Sequence, residues 1–226
     1  MKTVKHEDKD LKKEFQIERL VLFSDAVFAI AITLLIIELK VPEIPPPNTE
    51  QHLLDALSAL TPKFVGFVVS FIVISMYWIN HHLLFGLLHN YNRKVIWANL
   101  RFLFTIVLMP FSSGLYSEYW GSGLITPIAF YSINITLSGL AIMRLWSMIT
   151  NPANNLSTGL YPPALIRYYK TRSLVVAGVF MSSFGIAFFN AQIAYLFPLA
   201  IPMVMMLVKI YYRKKAPQLF IKGSDH

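Results

Sequence analysis

The chain has 226 residues, of which 55% are hydrophobic and only 14% charged, and it carries no cysteine. A soluble domain has about 25% charged residues, so this balance and a positive mean hydropathy point to lipid as the solvent. The net charge of +8 does not mark a nucleic-acid binder, because Lys and Arg stand at the ends of apolar segments, and without a thiol there is no disulfide framework or thiolate metal site.

Residues 1–19 form a basic, amphipathic arm holding Lys2, Lys5, Lys9, Lys12, Lys13 and Arg19. A first membrane span covers 20–39, since about 20 apolar residues cross the hydrocarbon core. It is too long for a signal peptide, and no small-residue cleavage site follows it. Asp25 lies inside one end of it. A charge at the centre of a membrane helix costs roughly 2.5–3.5 kcal/mol, so this carboxylate is expected to face protein or a water-filled cavity. Ser24 is either a helix-packing residue or a hydrogen-bond donor to that carboxylate. Ile30, Thr33, Leu34 and Ile37 recur at i, i+3, i+4 and i+7 and share one helix face. Nearly every neighbour is apolar, so periodicity alone does not separate packing from pore lining.

After this span, the proline-rich segment around Pro42, Pro45, Pro46 and Pro47 reads as stiff and extended, leading into a short helix over 49–60. The second span, 63–87, carries Trp78, Asn80, His81 and His82. Adjacent histidines point about 100° apart on a helix, and the i, i+4 pair of a zinc helix is missing. One histidine is expected to bond Asp25 or Ser24; titration near neutral pH is the alternative.

Further spans are placed at 95–116, 124–146, 173–191 and 193–211, the last two joined by a tight turn at Asn190, Ala191 and Gln192. Pro110, Pro198 and Pro202 should kink or break their spans. The turn-rich stretch 151–163 is expected to be a mobile loop. Of the 20 Lys and Arg residues, all but Lys40 and Lys63 fall on one side of this arrangement. The positive-inside rule then places both termini in the cytoplasm, as an even number of spans also requires. The expected organisation is an all-α membrane protein: a cytoplasmic arm over 1–19, a six-span domain over 20–211 and a basic cytoplasmic tail over 212–226. The charges of the arm and tail serve first as orientation signals, with binding to anionic membrane lipid as the alternative, and nothing outside the spans is long enough to fold alone.

The signature Arg19-x-x-x-Phe23-Ser24-Asp25, followed by Ala-Ile-Ala-Ile-Thr-Leu-Leu, resembles the transmembrane protein 175 family of potassium channels. Trp78-x-Asn80-His81-His82, six spans and inner termini match the same family. The resemblance implies a plasma-membrane potassium channel, with this single-repeat chain assembling as a homotetramer as in prokaryotic members. It implies a pore lined by the first span of each subunit, without the Thr-Val-Gly-Tyr-Gly filter, which this sequence also lacks. It places the narrow point five residues beyond the signature aspartate, at Ile30, with Thr33, Leu34 and Ile37 continuing the lining. Potassium passes near Ile30 and Thr33 as permeant ion, with no fixed metal and no cofactor. Arg19, Phe23, Ser24, Asp25, Trp78, Asn80, His81 and His82 are assigned to a structural polar network tying the first span to the second.

A proton-coupled secondary transporter using Asp25 and a second-span histidine is the alternative reading. An enzyme is not expected: there is no serine–histidine pattern, Gly-rich phosphate loop, HExxH or catalytic carboxylate pair.

Overall fold

The computed structural model describes residues 2–157, 159, 161–217 and 219, with side chains from residue 11 onward. Regular structure among these residues is helical, apart from one isolated bridge between Leu88 and Ser157. Helix α1 runs Lys2–Leu34 and tightens into a 3₁₀ turn at Leu35–Glu38. Arm and first span are therefore one continuous rod of 33 residues. At 1.5 Å per residue it is roughly 50 Å long, more than a bilayer core needs.

The short helix after the proline-rich segment is α2, Glu50–Ala59, started by Thr49, whose hydroxyl accepts the His52 amide at 3.2 Å. Helix α3 spans Thr61–Phe85. The third span is split into α4, Arg93–Val107, and α5, Met109–Glu118. The break falls at Leu108, just before Pro110, which has no N–H to continue the ladder. Helices α6, Thr126–Ile149, and α7, Pro163–Ala187, follow. Asn190 starts the short α8, Ala191–Leu196, by accepting the Ile193 amide at 3.1 Å. A 3₁₀ turn at Phe197–Ala200 carrying Pro198 separates α8 from α9, Ile201–Lys215.

Five stretches are long and apolar enough to cross a membrane: Leu11–Glu38, Thr61–Phe85, Arg93–Glu118, Thr126–Ile149 and Ala191–Lys215. The sixth expected span lies in α7, which has the length, at 25 residues, but less apolarity. Arg167, Lys170 and Arg172 occupy its first half, and Ser173, Gly178, Ser182, Ser183 and Gly185 dilute the rest.

α6 and α7 pack closely because small residues line their contact. A Cβ added to Gly139 would sit 3.2 Å from the Ser173 carbonyl oxygen. Around this pair Trp146, Tyr131, Phe180 and Phe102 are fully buried. Hydroxyls and amides cross between helices: Ser132 Oγ donates to the Phe180 carbonyl (2.9 Å), Asn134 Nδ2 to Ser112 Oγ (3.1 Å) and Ser138 Oγ to Thr105 Oγ1 (2.8 Å). Each such bond in a membrane averages about 0.6 kcal/mol, so their value is directional as much as energetic.

One expectation is corrected in part. The stretch 151–163 was expected to be mobile, yet its described first half is tied down. Leu156 is buried, and its carbonyl accepts the amides of His89 (2.8 Å) and Asn90 (3.1 Å). Asn155 adopts φ 50° to make the turn, a left-handed conformation that asparagine tolerates. The backbone tie was invisible in the sequence because carbonyls carry no residue signature. The far end of the basic tail, including Lys222, lies outside the described residues.

Candidate functional site

The first helix has two chemically distinct faces. Ser24, Phe28, Ala31 and Leu35, spaced four, three and four residues apart, are buried against the rest of the chain. On the opposite side Ile30 is 59% exposed, Leu34 40% and Ile37 64%, with Thr33, Ala26 and Ala29 exposed among them. The four residues of the Ile30 stripe fall within a sector of about 100°. Thr33 Oγ1 donates back along the helix to the carbonyls of Ala29 (3.0 Å) and Ile30 (2.9 Å). With its proton engaged there, the hydroxyl oxygen turns lone pairs outward.

Polar bonds fix the rotation of this helix. Ser24 Oγ donates to the Leu20 carbonyl (2.8 Å) and accepts from Asn99 Nδ2 (2.9 Å) on α4. This leaves Asn99 Oδ1 to accept from His81 Nε2 (2.8 Å) on α3. His81 lies stacked on Phe85, ring centroids 3.9 Å apart, with Phe102 across from it at 5.6 Å. One residue along, Asp25 Oδ1 accepts the indole N–H of Trp78 at 3.0 Å. α1, α3 and α4 are thus joined at one level by two adjacent residues of the signature.

The expected single network is in fact two. Asn80 points the other way, accepting from Trp146 Nε1 (2.7 Å) and donating to Ser173 Oγ (3.0 Å) on α6 and α7. The reason is helical geometry, since Asn80 and His81 are adjacent and diverge by about 100°. α3 is therefore a hub, with α1 and α4 on one side and α6 and α7 on the other. Three assigned residues stand apart from both networks. Arg19 lies over the Phe15 ring at 6.0 Å, Phe23 is exposed, and His82 is exposed with its ring 5.6 Å from that of Trp78. His81 bonds neither Asp25 nor Ser24 directly; Asn99 stands between. Asn99, Trp146 and Ser173 were missed. A lone amide within the apolar run Val95-Ile-Trp-Ala-Asn99-Leu was the available signal, because a buried amide in lipid needs a partner.

Residues 19–110, which hold the second half of α1 together with α3 and α4, match the family model described as endosomal/lysosomal potassium channel TMEM175. A protein of Streptomyces collinus named as a potassium channel is 32% identical over 177 residues, covering 77% of this chain and 84% of that protein. The chain belongs to the TMEM175 family. A crystal structure of a lysosomal potassium-selective channel TMEM175 homolog from Chamaesiphon minutus superimposes with a TM-score of 0.67. It is 24% identical, over 88% of this chain and 97% of that one, and so establishes the shared fold. The chicken protein named endosomal/lysosomal proton channel TMEM175 is 34% identical over 107 residues, 45% of this chain and 21% of that much longer protein. TMEM175 is a family of ion channels rather than an enzyme class, and this member is a multi-pass membrane protein. Among the described residues no group of three or more His, Asp or Glu side chains is placed to hold a metal ion.

Proposed function

We propose that this TMEM175 member is a subunit of a potassium-selective channel in the plasma membrane, with both termini cytoplasmic and six spans per subunit. Four copies surround a central pore lined by Ile30, Thr33, Leu34 and Ile37 of α1. The observation that carries this reading is the bare face of α1, exposed at these four positions while the opposite face is held by directional bonds. A stripe pinned outward and left uncovered by its own chain is available to meet its symmetry mates.

Ile30 forms the constriction. A ring of isoleucine side chains closes a pore by excluding water, and passage requires partial loss of the ion's hydration shell. Potassium holds its shell less tightly than sodium, so an apolar ring favours it. The outward lone pairs of Thr33, one turn beyond, supply the partial replacement. The name carried by the Streptomyces relative supports the choice of ion.

The test is a liposome measurement with potassium on one side and sodium on the other. A passive current reversing toward the potassium potential is expected. A flux that appears only under a proton gradient would favour the transporter. Against that alternative, Asp25 and His81 each have another partner, Trp78 and Asn99, and no bond joins the two among the described residues.

A further inference from the structure

At the charged end of the bundle, α4 and α6 leave a groove of about 320 Å³ lined by Arg93, Lys94, Trp97, Arg101, Arg144 and Met148. Arg93, Trp97 and Arg101 repeat every four residues along α4, and Arg144 and Met148 do the same on α6, so the lining is continuous. Trp97 is 60% exposed. Followed toward the middle of the bundle, the same two stripes turn wholly apolar at Phe104 on α4 and at Leu140 and Leu137 on α6, all exposed. The groove thus has a cationic floor, an indole at its mouth and an apolar wall above.

Apart from Glu14 and Glu18 on α1, neither of which is ion-paired with the groove among the described residues, these cations have little acidic sequence around them. Between Asp55 and Asp225 the sequence has only one carboxylate, Glu118. It lies at the other end of the third span, paired with Lys63. Asp25, on the adjoining helix, is bonded to Trp78. None of Arg93, Lys94, Arg101 and Arg144 has an ion pair among the described residues. Arg101 lies about 12 Å along the helix from Arg93 at 1.5 Å per residue. Arg101 therefore sits inside the span rather than at its end, and a membrane cation at that depth calls for a counter-charge.

We propose that this groove binds the phosphate of an anionic phospholipid, held by Arg93, Lys94, Arg101 and Arg144, with the acyl chains along Phe104, Leu137 and Leu140. Arginine forks match phosphate oxygens bidentately, and basic pockets between membrane helices on the cytoplasmic side suit such headgroups. The wall fixes the source: a free phosphate would use the floor and leave the apolar stripe unused. Placing the lipid in the inner leaflet rests on the orientation given above; the groove does not depend on the ion conducted.

The full-length protein is reconstituted in phosphatidylcholine nanodiscs containing either brominated phosphatidylglycerol or brominated phosphatidylcholine, and tryptophan quenching is compared. Brominated phosphatidylglycerol should quench more, and the excess should vanish in Trp97→Phe and in Arg101→Gln/Arg144→Gln. It should persist in Lys214→Gln/Lys215→Gln, which removes charge from the end of α9. Equal quenching by the two lipids overturns the proposal, as would an excess that survives loss of both arginines. Abolition of the excess by inorganic phosphate would assign the groove to a soluble anion and also overturn it. Assembly of each variant is checked by gel filtration, with Arg144→Gln alone replacing a double variant that fails to assemble. Potassium flux of the same variants, reconstituted separately in liposomes, keeps the lipid result separate from the channel reading.

Discussion

The first and last apolar stretches are equally uncovered, each with 22% of its span buried, yet they are built for different neighbours. The open face of α1 mixes small residues with Ile30 and Thr33 and is clamped on its far side through Ser24 and Asp25. The open face of α9 presents Met203, Met206, Leu207 and Ile210, bulky and wholly apolar. Its polar tie to α7 comes near its C-terminal end, where Tyr212 meets Thr171 at 2.9 Å. Exposure alone therefore does not mark a functional surface. Directional bonds do more, because they fix which residues a helix turns outward; a face of interchangeable hydrocarbon needs no such control.

The sharpest way to break this contrast is to place the same polar residue on both faces. Ile30→Asn is expected to wet the constriction, raise single-channel conductance severalfold and lower the potassium-to-sodium permeability ratio in planar bilayers. Met206→Asn on α9 should leave both quantities alone. Identical outcomes for the two variants would end the distinction drawn between the helices.

Next in size is the clamp. Asn99→Ala leaves Ser24 and His81 without the amide that joins them, at about 1–3 kcal/mol for each unsatisfied buried group. Thermal unfolding in detergent should fall accordingly, with the permeability ratio of the surviving channels unchanged. A smaller loss is expected for Asp25→Ala, which removes the acceptor for Trp78 and should reduce the assembled fraction by gel filtration more than it alters selectivity. A well-assembled Asp25→Ala channel with changed ion preference would move that carboxylate into the pore. Smallest of all is Thr33→Val. It keeps the shape but removes the outward oxygen, so conductance should persist with a modest loss of potassium preference, restored by Thr33→Ser.

Much of the fold was legible because membrane spans announce themselves by length. The break at Pro110 and the turn at Asn190 were legible for a different reason, since these residue types have a fixed backbone consequence. The signature led to the two residues that clamp α1. The direction of Asn80 was not legible, because an apolar helix offers no contrast from which to infer which face meets which neighbour. Asn99 was overlooked although its isolation among apolar residues was a usable signal. The mixed character of α7 also blurs a simple hydropathy count: a helix packed by glycine and serine against α6 spends its apolarity on close contact.

The tie between the two loops at the charged end reaches further than its few bonds suggest. With Leu156 seated under His89 and Asn90, the ends of α3 and α6 are coupled in tension as well as by packing. A force applied to the foot of α6 is therefore delivered to α3, and from His81 through Asn99 to Ser24 on α1. That chain of bonds ends at Ser24, about one and two-thirds turns before Ile30 on the same helix, close to the exposed stripe.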